Sequence, residues 1–278
     1  VRRVTNRSKI LAVEGGYHGN TFGALSVSSN AERKAPFGPL VGGIELIPWN
    51  DMEGLEAIDA SVAGIIVETV QGDAGIRIPD PEWLRAIRDK CTQTGAHLVL
   101  DEIQCGFGRT GRPFAFEHFG VEPDHLCLGK ALGGGMPMGA LVSSQEHLQQ
   151  FAHSPSLGHI TTFGGHPVAC AASAAASALL RSTDWNRVEQ VGQTIEAAMR
   201  ECARVREVRR IGLYIAVELE TSEAVNEVVQ TAMQRGVLVF YFLSTPQAFR
   251  IAPPLNIKDV DLSEALDTLI ACIEQAQT

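Results

Sequence analysis

The chain reads as an α/β protein, a mostly parallel sheet flanked by helices and followed by a smaller α+β domain, and three features of the sequence predict this. Short continuous apolar runs at residues 10–13, 63–67 and 98–100 suit strands buried on both faces of a sheet. A helical pattern over Pro81–Thr94 separates the second run from the third, and a strand, helix, strand succession makes the two strands parallel. Beyond residue 183 one amphipathic helix leads into mixed strands and helices, which divides the chain into a large domain, residues 1–183, and a small one, residues 184–278.

Residues 1–7 are polar and basic, and the strand at 10–13 ends in Glu14-Gly15-Gly16-Tyr17-His18-Gly19-Asn20-Thr21. Glycines there permit positive φ or close backbone approach, and they set an aromatic ring and an imidazole at a strand end. Residues 31–48 contain Pro36, Gly38, Pro39, Gly42 and Gly43 and read as a loop, with a short helix expected at 51–57. The strand at 63–67 runs into Glu68-Thr69-Val70-Gln71-Gly72-Asp73-Ala74-Gly75. The Pro81–Thr94 helix puts Trp83, Leu84, Ile87 and Cys91 on one face and closes at Gly95. Further strands are expected at 126–128 and 139–143. An Ala-rich helix is expected at 168–181, after His159-Ile160-Thr161-Thr162-Phe163-Gly164-Gly165-His166-Pro167, whose threonines either cap the helix or serve an anion before it. The small domain reads as helix 185–204, strand 211–219, helix 222–235, strands 237–242 and 249–252, and helix 262–276.

With 278 residues, 45% hydrophobic and 20% charged, the chain can bury a large core. A net charge of -9 argues against nucleic acid, whose phosphates call for clustered Lys and Arg. No apolar run approaches the ~20 residues of a membrane-spanning helix. The six cysteines are scattered without a CxxC pair, so no metal site and no redox motif is indicated, and free thiols fit a cytoplasmic setting. No secretory leader is visible.

The chemistry concentrates between His97 and Gly139. The apolar run 98–100 ends in Asp101 and Glu102, and the run 126–128 leads into Gly129 and Lys130. In open α/β sheets ligands sit beyond the carboxyl ends of the strands, where both Asp101 and Lys130 fall. An acid and an amine so placed suggest pyridoxal phosphate: the lysine forms the Schiff base, and the aspartate keeps the pyridine nitrogen protonated. Apolar and glycine-rich flanks desolvate Lys130, which lowers an amine's pKa and makes it a nucleophile. The run Gly106-Phe107-Gly108-Arg109-Thr110-Gly111 has the wrong spacing for a dinucleotide loop, and Pro113 prevents a helix directly after it.

These pieces, with Asp101-Glu102-Ile103-Gln104, Pro123-Asp124, Gly129-Lys130-Ala131-Leu132-Gly133-Gly134-Gly135 and Pro137, resemble the class III aminotransferases of the ornithine, acetylornithine and 4-aminobutyrate type. The resemblance implies the fold-type-I fold of pyridoxal phosphate enzymes, and a chain that lacks the N-terminal part of the family pattern, including a phosphate loop. It implies an amino donor, ornithine- or acetylornithine-like, an oxo acid acceptor such as 2-oxoglutarate, and a homodimer with shared active sites. Lys130 and Asp101 would be the catalytic pair, and Gln104 would hydrogen-bond the ring 3-oxygen. Tyr17 would stack on the ring with His18 as a neighbouring wall; alone, the same residues read as a glycine-rich turn. Thr162 would reach the cofactor phosphate of the neighbouring subunit. Asp73, which stands for a family glutamate, would pair with a pocket arginine or else cap a turn. Arg250, in Arg250-Ile251-Ala252-Pro253-Pro254-Leu255, would hold the substrate carboxylate or else form a structural salt bridge. An aminomutase of the same family and a catalytically silent dimeric scaffold are the alternatives to the transferase.

Overall fold

The computed structural model describes residues 1–276. Two compact units are present. The first comprises Val1–Val70, Pro79–Phe107 and Phe114–Ser182; the second comprises Gln71–Ile78, Gly108–Pro113 and the chain from Thr183 onward. Two excursions from the first 183 residues thus pack with the second unit.

The first unit is built on a six-stranded sheet. Its strands are β1 (Lys9–Val13), β2 (Ile44–Ile47), β3 (Val62–Glu68), β4 (His97–Asp101), β5 (His125–Leu128) and β6 (Ala140–Ser143), in the order β2-β1-β3-β4-β5-β6. All neighbours are parallel except β5 and β6, which are antiparallel. Strands covered on both faces need apolar residues at nearly every position, and β3 accordingly buries six of its seven residues. The helix Pro81–Thr94 begins where Asp80 accepts a hydrogen bond from Glu82 N at 2.8 Å and ends at Gly95 with φ 71°. Its buried face of Trp83, Leu84, Ile87 and Cys91 packs with Leu11, Ile65, Val67, Leu98 and Leu100. The Trp83 indole, wholly buried, donates to Asp51 O at 3.1 Å, which satisfies its one polar atom.

The second unit holds a four-stranded antiparallel sheet of β7 (Glu207–Ile211), β8 (Tyr214–Glu218), β9 (Phe240–Tyr241) and β10 (Ala248–Ile251), in the order β7-β8-β10-β9. Helices Trp185–Glu201, Ser222–Gln234 and Asp259–Gln275 contribute to its core, with Val191, Ile195, Val228, Leu269 and Ile273 against Ile215, Val217 and Phe249.

Four sequence expectations are corrected. Residues 31–48 are not all loop: a short helix, Ala31–Lys34, and β2 lie within them. β2 is an edge strand with half of its residues exposed, so it lacks the apolar run that marks the central strands. The helix at 51–57 is a single 3₁₀ turn, Glu53–Ala57. The strand at 211–219 is instead the second arm of a hairpin whose turn uses Gly212 at φ 57°. Its first arm lacks a strand's apolar pattern because Arg209 and Arg210 interrupt it, each paired with glutamates. The strand at 237–242 shrinks to Phe240–Tyr241.

Trp83→Ala removes the largest wholly buried side chain of the first unit. Chemical denaturation is expected to show a loss of about 3–5 kcal/mol, with Trp83→Phe losing clearly less.

Candidate active site

Four parallel strands deliver side chains to one place. β1 and β2 diverge from β3 at the sheet's switch point, since β2 lies on one side of β1 and β3 on the other. Beyond the carboxyl ends of β1, β3, β4 and β5 lies a cavity of about 210 Å³, lined by Tyr17, His18, Gly19, Glu68, Asp101, Ile103, Gln104, Cys105 and Lys130. Five residues singled out from the sequence, Tyr17, His18, Asp101, Gln104 and Lys130, therefore meet here.

Asp101 is the last residue of β4 and is only 6% exposed. Its Oδ2 lies 2.8 Å from His18 Nδ1, which donates to it, and its Oδ1 accepts from Ile103 N at 3.0 Å. Each carboxylate oxygen has a second lone pair, so the group can still accept from a protonated ring nitrogen. His18 is thus a partner of the acid as well as a wall. Glu68, 6% exposed at the end of β3, accepts from Tyr17 N at 2.8 Å and so fixes the segment that carries both rings. Gly129 packs closely here: a Cβ added to it would lie 3.2 Å from Ile103 Cγ2 and press on that side chain. Lys130 follows with φ 46°, a left-handed conformation that costs a non-glycine residue on the order of 1–3 kcal/mol and is found mainly at functional positions.

Apolar flanks do not bury this lysine. Leu128, Leu132 and Gly133 are buried, yet Lys130 itself is exposed, because it stands at a chain reversal rather than within the strand. Cys105 also lines the cavity, but burial pushes its thiol well above the ordinary value and removes it as a nucleophile. Among the cavity's residues, Lys130 is therefore the one suited to nucleophilic attack.

Glu102, next to Asp101 and 2% exposed, points the other way, as the alternation along a strand requires. It accepts from Thr69 Oγ1 at 2.9 Å, Phe116 N at 2.7 Å and Ala115 N at 2.7 Å. Burial outweighs these bonds and pushes its carboxyl up to about 7.

Thr162 is not among the cavity's lining. It is exposed and lines a separate cavity of about 720 Å³ with Met136, Met138, Phe163 and His166. The helix Pro167–Arg181 is capped at His166, so neither Thr161 nor Thr162 serves as its cap. Asp73 and Arg250 belong to the second unit. Asp73 accepts from Leu243 N at 3.0 Å and Ser244 Oγ at 2.6 Å, so it fastens another segment of that unit. The Arg250 guanidinium lies 5.9 Å from the ring centres of both Phe240 and Phe242 and forms no ion pair among the described residues. In the same unit Arg109 donates to Leu213 O at 3.0 Å and Pro253 O at 2.8 Å, and burial lowers its pKa. Glu68, Ile103 and Arg109 had no role in the sequence analysis. A carboxylate ending an apolar run, as Glu68 does, was the available signal; no local pattern marks the other two.

Fold and cavity together set an acid and an amine at the ends of adjacent parallel strands, on one cavity. The model of the aminotransferase class-III family matches residues 1–273. The chain is 38% identical over 285 aligned residues to acetylornithine aminotransferase of Methanocaldococcus jannaschii, covering 98% of this chain and 69% of that protein. It is 42% identical to the acetylornithine aminotransferase of Methanopyrus kandleri, covering 96% and 68%. A solved ornithine aminotransferase from Toxoplasma gondii, with partial occupancy of pyridoxal phosphate at its active site, superposes with a TM-score of 0.89 at 32% identity, over 98% of this chain and 65% of that one. The chain belongs to the class III aminotransferases, a family that depends on pyridoxal phosphate, and it spans about two thirds of the length of these relatives. The residues fit that cofactor: the buried Asp101 retains accepting capacity, Tyr17 and Ile103 offer an aromatic and an aliphatic surface, and Lys130 supplies the amine.

Glu102 has a raised pKa in the fold, so it favours the folded state fully below its unfolded value of 4.5 and loses that contribution as pH rises to about 7. Thermal melts across this window are expected to show a smaller pH-dependent decline for Glu102→Gln than for the wild type.

Proposed function

We propose that the protein containing this chain is a pyridoxal phosphate-dependent aminotransferase that moves an amino group from an ornithine- or acetylornithine-like donor to an oxo acid such as 2-oxoglutarate. The placement of Lys130 and Asp101 on one cavity, at the ends of adjacent parallel strands, supports this most directly. Two acetylornithine aminotransferases at 38% and 42% identity support the donor class.

Bound cofactor supplies a conjugated ring that draws electrons from the carbon bearing the substrate nitrogen. The protein's own groups do the rest. Lys130 Nζ would be the amine that holds the cofactor, and its free form would accept and return the proton of the substrate carbon. Asp101, which His18 steadies, would accept a hydrogen bond from the cofactor's protonated ring nitrogen. Gln104 would donate to the ring oxygen, and Tyr17 would cover a ring face. Arg250 would receive the substrate carboxylate through its planar fork, and Asp73 would pair with an arginine of the substrate pocket.

A homodimer with shared sites belongs to the same proposal. Leu157, Ile160, Phe163, Val168 and Leu179 are large apolar side chains exposed in and beside the segment that carries Thr162, which suits a surface covered by a second copy. Thr162 would then serve the partner's cofactor phosphate. Six free cysteines fit a reducing cytoplasm, and no helix among the described residues is long and apolar enough to cross a membrane.

With full-length protein, borohydride reduction is expected to fix the chromophore on Lys130, and Lys130→Ala should lower turnover by at least about 10²–10⁴-fold. Substantial residual turnover, or the absence of a lysine-linked chromophore in the wild type, would refute the assignment. Asp101→Asn should cost about 10²–10³-fold. Arg250→Ala should chiefly raise KM for the donor; an unchanged KM would remove Arg250 from substrate binding. Product formation without added oxo acid would instead indicate a mutase.

A further inference from the structure

Three imidazoles gather at the edge of the first unit's sheet opposite the cavity. His97 opens β4 and His125 opens β5, so the parallel pairing sets both at the amino ends of their strands. β6 runs antiparallel and returns the chain to this edge, where His147 sits in the short helix Gln145–Gln149. One ring nitrogen of each histidine lies within 4.8 Å of those of the other two, and ring centres are 4.7 to 5.3 Å apart. We propose that His97, His125 and His147 form a binding site for a divalent transition-metal ion of the zinc class.

Protonation chemistry favours this. Imidazole binds metals in its neutral form, through the ring nitrogen that carries a lone pair. Hydrogen bonds also fix the tautomer of His147. The Ser143 hydroxyl has one proton and donates it to Asp124 O at 2.9 Å, so its 3.2 Å contact with His147 Nδ1 is one in which the ring donates. Nε2 of His147 then keeps its lone pair, and Ser143 acts as the outer partner that orients a ligand ring. His97 Nδ1 and His125 Nε2 already face each other at 2.8 Å, sharing a proton. A cation takes the place of that proton when whichever ring carries it moves it to its other nitrogen, with no net proton released.

Tetrahedral zinc with bonds of ~2.0–2.1 Å sets its ligand nitrogens about 3.3 Å apart. Binding therefore opens the His97–His125 pair slightly and draws His147 inward, which a half-buried ring on a five-residue surface helix can accommodate. Three imidazoles leave a fourth position for water, and nitrogen ligands select zinc, nickel, cobalt or copper over magnesium or calcium. A cavity of about 200 Å³, otherwise lined by apolar residues, is bordered by His125 and His147. None of these residues belongs to the Lys130 cavity, so the site stands independently of the aminotransferase assignment.

The test is titration of the EDTA-treated, full-length holoprotein with Zn²⁺ by calorimetry and with Co²⁺ by visible absorption. One saturable ion per chain is expected, with the visible bands of nitrogen-ligated cobalt. His147→Gln, a surface change, should weaken Zn²⁺ binding at least about tenfold, and His97→Gln likewise, with the melting profile of the metal-free protein unchanged for His147→Gln. Absence of saturable binding, or equal affinity in wild type and His147→Gln, overturns the proposal; the second outcome would assign the ion to surface histidines such as His153 or His159.

Discussion

Three carboxylates lie buried at the carboxyl ends of neighbouring strands, and their need for partners shapes the functional edge of this sheet. A buried carboxylate without donors is costly enough that it takes up a proton or is not tolerated. Glu68 and Asp101 share the segment that carries Tyr17 and His18, and Glu102 draws on others. Glu68 takes the amide of Tyr17, Asp101 takes the His18 ring and the Ile103 amide, and Glu102 takes Thr69 with the amides of Ala115 and Phe116. Loops that would otherwise be independent are in this way anchored to the strand ends.

Adjacent residues divide the work. Asp101 and Glu102 are consecutive and point to opposite sides, one to the cavity and one into the protein. Glu102 keeps the strand end in place without meeting the cavity, while Asp101 retains accepting capacity toward it. The amine reaches the same cavity by a different device: the reversal between β5 and β6 holds Lys130 in left-handed backbone, directly after a glycine that lets Ile103 pack closely. The site is thus assembled from rigid strand ends and one strained turn, which fixes the acid and the amine relative to each other.

Much of this was legible in the sequence because it is local. The central strands are continuous apolar runs, and the helix Pro81–Thr94 carries its own start and stop signals in Asp80, Pro81 and Gly95. Edge strands were harder to see. β2 and β7 mix exposed and paired charged residues into short segments, so their identity depends on the neighbour they pair with. The exposure of Lys130 was likewise unreadable, since apolar flanks bury themselves without burying the residue at the apex of a turn.

The sequence alone determined which residues are equipped for the chemistry: an acid closing one apolar run, an amine following the next, and glycines around both. Local composition and spacing suffice for that, because strand ends in a parallel sheet share one edge. Only the tertiary structure decided who partners whom. That His18 would bind Asp101, that Glu102 would turn toward Phe116, and that three histidines from distant positions would meet at the far edge all follow from strand order and register, which no single segment encodes.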